Sequence, residues 1–386
     1  MNKRFITWWL WLLAILMVGV LTLPALQQWT NWVRVPALQG AFTNPPEAQL
    51  SVESWFSGKF QSEAEAQLNA EVGFRPSLVR LRNELEYQLY GRTHAQYVFA
   101  GKDGVLFEHR YIESLKGDNF MGVDAIVERN RKLKAIQDTL NGLGKDLLVM
   151  IAPGKGRLYP EYVPDHMLPT EQKPTNYPVT IADMQRQGIH LMDCMAWFYE
   201  IRDSVPYPLM PKTGIHWSEY AEYLVTDSLV RYFERQLSLD LPDLVLMEIQ
   251  ESTEARGRDA DIEVSLNLMS DIPDGLLGYP QYYFQIDSTH DRLSMLTIGD
   301  SFYWGPWGKT FAQEAFKGGQ FFYYHSEAYP DSHDGIVVNP NDLPWSETLA
   351  KHDVIMFLYT ETATDLYFGN YSIDQIYSYF FGDDAP

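Results

Sequence analysis

The feature that most constrains the fold is Leu296-Thr297-Ile298-Gly299-Asp300-Ser301-Phe302, an apolar run that ends in Gly-Asp-Ser. Such a run reads as a short buried strand, and open α/β folds place their chemistry at the carboxyl ends of strands. The spacing therefore puts Ser301 at the rim of a sheet and makes it the candidate nucleophile. A serine hydroxyl is a weak nucleophile at neutral pH and needs a base within hydrogen-bond reach. His216, in Thr213-Gly214-Ile215-His216-Trp217, is the candidate base. Gly-Asp-Ser alone is a common turn former. The apolar run before it and the His-Trp element are what give it chemical weight.

Charge and composition narrow the partners. A formal net charge of -21 argues against nucleic acid, whose phosphates would be repelled, and favours a neutral or locally recognised substrate. With 46% hydrophobic and 14% aromatic residues, the 386-residue chain can bury a sizeable core. One cysteine, Cys194, excludes an internal disulfide and a thiolate metal cluster and reads as a small buried residue. The histidines show no close metal-ligand spacing.

At the amino end, Lys3 and Arg4 precede an apolar run from Phe5 to about Leu23, long enough to approach a hydrocarbon core of roughly 30 Å. The basic pair would stay in the cytoplasm and the rest of the chain would lie beyond the membrane, in the periplasm or extracellular space. Around Leu23-Pro24-Ala25 there is no clean small-x-small cleavage pair, and Trp8, Trp9, Trp11, Trp29 and Trp32 suit the interfaces of a retained span. An uncleaved single-pass anchor over residues 1–28 is favoured over a cleaved signal peptide. Residues 29–95 read as a linker, Pro36 to Pro46, and then two helices separated by Gly73-Phe74-Arg75-Pro76. The stripe of Trp55, Phe56 and Phe60, then Leu78, Leu81, Leu85 and Leu89, predicts a helical neck whose apolar face packs on the main domain.

The main domain spans 96–386. Two apolar runs around Gly101-Lys102-Asp103-Gly104 predict a hairpin, Val123 to Leu143 a helix, and Asp146 to Ala152 a central parallel strand. Pro153-Gly154-Lys155-Gly156 lacks the spacing of a phosphate-cradling loop and reads as a plain strand exit. Next come a helix from Asn176 to Gln187, a strand from Ile189 to Met192, another helix, the His216 loop, and a long helix from Ser218 to Leu237. A less regular acidic stretch, Leu241 to Ser294, precedes the Ser301 strand, a helix near Thr310, the run Phe321 to Tyr324, and a last core strand from Val354 to Tyr359. This alternation predicts a three-layer α/β sandwich around a mainly parallel sheet.

Gly299-Asp300-Ser301-Phe302 after a strand, with Thr213-Gly214-Ile215-His216-Trp217 upstream, resembles the SGNH-hydrolase-like domain of the alginate O-acetylation proteins of the AlgJ and AlgX type. Arg75, Asn83, Gly101-Lys102-Asp103-Gly104, Tyr111-Ile112, Ile151-Ala152-Pro153 with Lys155, and Tyr159-Pro160-Glu161 resemble the order of that family's features. Ordinary SGNH hydrolases carry the serine first. Here His216 comes first, which is the order of the alginate group. The resemblance implies acetyl transfer to an exported or cell-surface polysaccharide through a serine ester, beside a membrane-bound O-acyltransferase, with no metal or organic cofactor.

One position departs from the pattern. The family's block reads Asp-x-His-Trp, and here Gly214 stands where the acid belongs. A histidine without its carboxylate can hold the wrong tautomer. Asp259, Asp261 and Glu361 are the candidate substitutes, with Asp261 ranked first, and a non-catalytic polysaccharide-binding scaffold or a carbohydrate esterase are the alternative readings. Asp300 reads as a brace for the serine turn. Trp217, Phe302, Tyr303, Trp304 and Trp307 read as core before sugar-stacking surface, and Tyr323 and Tyr324 as packing before oxyanion donors.

Overall fold

The computed structural model describes residues 3–40, 45–309, 311–365 and 367–382. The side chains of Lys3, Arg4 and Phe5 lie outside the described residues, as does Thr310 altogether. Two compact units result, one of Met1–Gln96 with Glu263–Asp271, the other of Tyr97–Ile262 with Ile272–Pro386.

In the first unit, α1 (Lys3–Thr30) contains Thr7–Thr30, which has a mean hydropathy of 2.2 and is long and apolar enough to cross a membrane. The neck has three helices, α2 (Val52–Ser57), α3 (Lys59–Glu71) and α4 (Arg75–Tyr90), rather than two. Ser51 and Ser54 cap α2 reciprocally, and Gly58 ends it at φ 80°, a conformation open to glycine. Leu78, Leu81, Leu85 and Leu89 lie on α4 as their spacing predicts, and all four are exposed. Polar groups of α4 make the long-range contacts instead. Asn83 Nδ2 donates to Leu266 O at 2.8 Å, and Glu84 accepts the Met269 N–H at 2.9 Å.

The second unit opens with the expected hairpin, β1 (Val98–Ala100) and β2 (Leu106–Glu108), antiparallel around Asp103 at φ 54°. There follow α5 (His109–Lys116), α6 (Val123–Gly142), β3 (Asp146–Ala152), the short α7 (Lys155–Leu158), α8 (Asn176–Gln187), β4 (Leu191–Asp193), α9 (Cys194–Ile201) and α10 (Glu219–Leu237). The acidic stretch that lacked a clear pattern forms an antiparallel ribbon, β5 (Asp243–Ser252) with β6 (Leu277–Gln285). Its strands are separated by a long excursion holding α11 (Asp261–Leu266), so no hairpin turn marks them in the sequence. Then come β7 (Met295–Gly299), α12 (Trp304–Gly308), α13 (Phe311–Glu314), β8 (Gly319–Tyr323), β9 (Glu327–Tyr329), α14 (Trp345–Lys351), β10 (Val354–Thr360) and α15 (Tyr367–Phe381).

Six strands form the main sheet in the order β4-β3-β10-β7-β8-β9, all neighbours parallel except β8 and β9. Every residue of β3 and β10 is buried, which requires helices over both faces and explains their unbroken apolar sequences. The carboxyl ends of β3, β10 and β7 lie side by side, with Thr360 paired to Ala152 and Leu358 to Gly299. The site is built on this rim.

Candidate active site

Strand β7 stops where its sequence turns polar. A Cβ at Gly299 would stand 3.1 Å from Leu358 Cβ, so glycine lets β7 lie close to β10 at this point. Asp300 is buried, and its two oxygens divide the work: Oδ1 accepts the Phe302 N–H at 3.0 Å, while Oδ2 accepts the Thr360 N–H and the Thr360 hydroxyl, each at 2.6 Å. Burial raises the Asp300 carboxyl, and these hydrogen bonds oppose the rise. Asp300 thus braces the turn that presents Ser301, in line with the reading of the motif.

The histidine loop is held from below by groups distant in sequence. Asp274 accepts the N–H groups of Lys212 at 2.7 Å and Thr213 at 3.0 Å, and Tyr111 donates its hydroxyl to Ile215 O at 2.9 Å. The fully buried Lys155 donates to Leu106 O at 3.1 Å, to Lys212 O at 3.5 Å and to Gly214 O. Burial pushes its ammonium down to about 8, against the upward pull of carboxylates led by Asp274 and Asp261. Past His216, Ser218 caps α10 by accepting the Ala221 N–H at 3.1 Å. The imidazole packs against the Phe302 ring at 4.9 Å, and Phe302 in turn meets Trp217 edge to face at 5.1 Å.

These two loops meet. His216 Nε2 lies 2.8 Å from Ser301 Oγ, and His216 Nδ1 lies 2.6 Å from Asp261 Oδ2. The other Asp261 oxygen accepts the Ile215 N–H at 2.8 Å, so the carboxylate grips both the ring and the backbone beside it. Of the other candidate acids, Asp259 accepts the Glu219 N–H at 3.3 Å, and Glu361 pairs with Arg157 at 2.7 Å and accepts from Ser114. Burial, reinforced by Glu219, raises the Asp259 carboxyl to about 7.

Gly214 shows why the acid stands elsewhere. A Cβ there would lie 2.7 Å from Asp259 O, 2.7 Å from Pro211 Cγ and 2.9 Å from Arg258 O. The segment that delivers Asp261 fills the space an aspartate at 214 would need. Gly214→Asp is therefore expected to destabilise the fold by about 1–3 kcal/mol, the usual cost of overpacking, seen as a lower Tm.

Three neighbours surround the relay, and of these the sequence weighs only Tyr324 for a chemical role, as packing before oxyanion donor. Lys155 sat in a segment that reads as a plain strand exit. Arg258 Nη2 donates to Ser301 O at 3.1 Å, and Tyr324 lies within hydrogen-bond reach of both the side chain and the backbone of Ser301. Tyr324 holds φ 48°, a left-handed conformation, directly after β8, and its N–H donates to Gly299 O at 2.9 Å. Burial pushes its phenol up to about 12, so it carries its proton at neutral pH. Trp217, Phe302 and Tyr303 are buried in the core, while Trp304 and Trp307 are partly buried against Phe321.

A mainly parallel sheet with a serine turn and a histidine loop at its carboxyl rim defines an SGNH-hydrolase-like α/β protein. More particularly, residues 98–257 match the family model described as SGNH hydrolase-like domain, acetyltransferase AlgX. That span includes Gly214 and His216 and stops before Asp261 and Ser301. No curated protein matches the chain in sequence. Among solved structures, the O-acetyltransferase domain of Pseudomonas putida AlgJ is 18% identical over 73% of this chain and 99% of its own, with a TM-score of 0.46. Pseudomonas aeruginosa AlgX is 12% identical over 75% of this chain and 71% of its own, with a TM-score of 0.43. Bacillus cereus PatB1 is 11% identical over 69% and 96%, with a TM-score of 0.42.

Proposed function

We propose that this protein is an O-acetyltransferase that acts on a polysaccharide through an acetyl ester on Ser301. The observation that carries the reading is the continuous hydrogen-bonded path from Ser301 Oγ through His216 to Asp261, within a chain whose residues 98–257 match an acetyltransferase family. His216 Nε2 takes the Ser301 proton as Oγ attacks the acetyl carbonyl, and Asp261 keeps the Nδ1 proton in place and stabilises the imidazolium. Ser301 N–H and the Tyr324 hydroxyl are the donors at hand for the tetrahedral oxyanion. The donor's leaving group departs with the proton from His216. A sugar hydroxyl, deprotonated by the same imidazole, then attacks the ester and restores Ser301. A non-catalytic scaffold is not favoured, since Asp261 supplies a carboxylate where Gly214 has none.

The apolar helix containing Thr7–Thr30 supports a single-pass anchor, with the second unit working outside the cytoplasmic membrane beside a membrane-bound acyltransferase that delivers the acetyl group. Residues 1–28 would then be the anchor, 29–95 the linker and neck, and 96–386 the working domain. The test is to incubate the full chain with an activated acetyl ester, with and without acceptor glycan. Acceptor-dependent transfer is expected, with Ser301→Ala lowering it by at least about 10³-fold. Hydrolysis that no glycan diverts would make the protein an esterase, and turnover that survives Ser301→Ala would end the serine-ester reading.

A further inference from the structure

The segment that carries Asp261 is held to the serine turn by a second link. Arg258 lies three residues before Asp261 in the tight turn Gly257–Ala260, and its Nη2 donates to the backbone carbonyl of Ser301 at 3.1 Å. That carbonyl also accepts the Trp304 N–H, so the guanidinium seizes the turn at the nucleophile itself. The other arm of Arg258, Nη1, lies 3.9 Å from Oε2 of Glu222, a buried carboxylate on α10, the helix that begins just after His216. Lys309 reaches the same cluster, 3.0 Å from Glu219 and 3.5 Å from Glu222.

The crowding at this junction is unusual. A Cβ at Gly305 would come 1.6 Å from Glu222 Oε2 and 2.6 Å from Arg258 Nη1. Only a residue without a side chain lets α12 close over the pair. Three pieces of chain far apart in sequence, each bearing one relay residue on it or beside it, therefore meet at Arg258: the Ser301 turn, the helix after His216, and the turn before Asp261. An acid on the same loop as the histidine would need no such tie, since two residues of chain would fix the distance. Here the acid comes from 45 residues further on, and something must fix its approach.

We infer that Arg258 is a positioning residue that, with Glu222, sets the approach of Asp261 to His216 and of His216 to Ser301. The inference rests on the relay described above being the reactive centre. Arg258 touches no reacting atom, and it acts by holding two turns in register.

Two readouts on the full chain test this. One is the second-order rate at which phenylmethylsulfonyl fluoride labels Ser301, with Ser301→Ala as the blank. The other is the low-field proton NMR resonance of the His216 Nδ1–H, which reports its hydrogen bond to Asp261 without any turnover. Arg258→Met is expected to slow labelling about 10- to 100-fold, the scale of an ångström of misplacement, and to weaken or abolish the low-field resonance. Arg258→Lys can reach the Ser301 carbonyl or Glu222 but not both in the same fork, and is expected to recover part of each. Glu222→Gln, which frees the guanidinium while keeping its volume, is expected to slow labelling about threefold to tenfold. If Arg258→Met misfolds, the lysine and glutamine variants carry the test.

Wild-type labelling and an intact resonance in these variants, even with a lowered Tm, would reduce Arg258 to a structural strut and overturn the inference. The two proposals fail separately. A wild-type protein that is labelled at Ser301 yet transfers no acetyl removes the acetyltransferase reading and leaves the clamp standing. If Ser301 resists the reagent altogether, the resonance still decides whether Arg258 sets the Asp261 contact.

Discussion

Asp261→Asn is expected to lower kcat for acetyl transfer about 10⁴-fold while leaving KM little changed, as loss of the orienting aspartate does in serine proteases. The substitution keeps the shape of the side chain and removes its charge. An amide facing His216 Nδ1 can present N–H to the ring, which flips the tautomer and turns Nε2 from acceptor into donor toward Ser301. The carboxylate also receives the Ile215 N–H, a bond that the asparagine oxygen can keep, so the fold should survive. Moving the acid back, in Gly214→Asp combined with Asp261→Asn, should not restore activity, because the carbonyls of Arg258 and Asp259 stand where that side chain would go. Steady-state kinetics of the two variants decide it, and near wild-type kcat in Asp261→Asn would remove Asp261 from the relay.

Lys155→Met carries the second large effect. The methionine matches the stem but takes that donor from the carbonyls of Leu106 and Gly214, at about 1–3 kcal/mol for each acceptor left unsatisfied, while Lys212 O keeps the Leu106 N–H at 2.9 Å. Denaturant unfolding should register a loss of about 2 kcal/mol or more, and the histidine loop, to which Gly214 belongs, should lose its fixed position and its turnover. The pH dependence has a definite sign. The folded state holds the Lys155 ammonium at about 8 against an ordinary 10.5, so the unfolded chain binds more protons between those limits. Stability contributed by this group therefore rises as pH goes up from about 8 and is lost as pH falls back through 8. Compared with the wild type, Lys155→Met should lack that rise over about pH 8 to 10.5.

Ser301 and His216 were legible because each stands at a sharp change of pattern, an apolar strand meeting Gly-Asp-Ser and a Gly-x-His-Trp run meeting a helix cap. The strands β3, β7 and β10 were legible for the same reason: burial on both faces leaves an uninterrupted apolar run. Asp261 was reachable only as one of three acids, since nothing local shows that its turn folds back onto Gly214. Lys155 was marked only by the family resemblance and Arg258 not at all, because their closest partners are backbone carbonyls, which leave no trace in a sequence. The β5–β6 ribbon escaped notice because β5 is largely exposed and carries charge, while β6 holds Gly278 and Pro280, residues that break a strand pattern. In the neck the spacing of Leu78, Leu81, Leu85 and Leu89 was read correctly as a helix. Periodicity reports which residues share a side, and it does not report what covers them.

Strand β10 lies between β3 and β7, yet it is synthesised after both. Until it inserts, the half of the sheet that ends at Lys155 and the half that ends at Ser301 share no ladder, and Asp300 has no Thr360 to grip. Closing the sheet and bracing the serine turn are consequently one event, so a chain without β10 is expected to leave Asp300, and the turn it holds, unbraced.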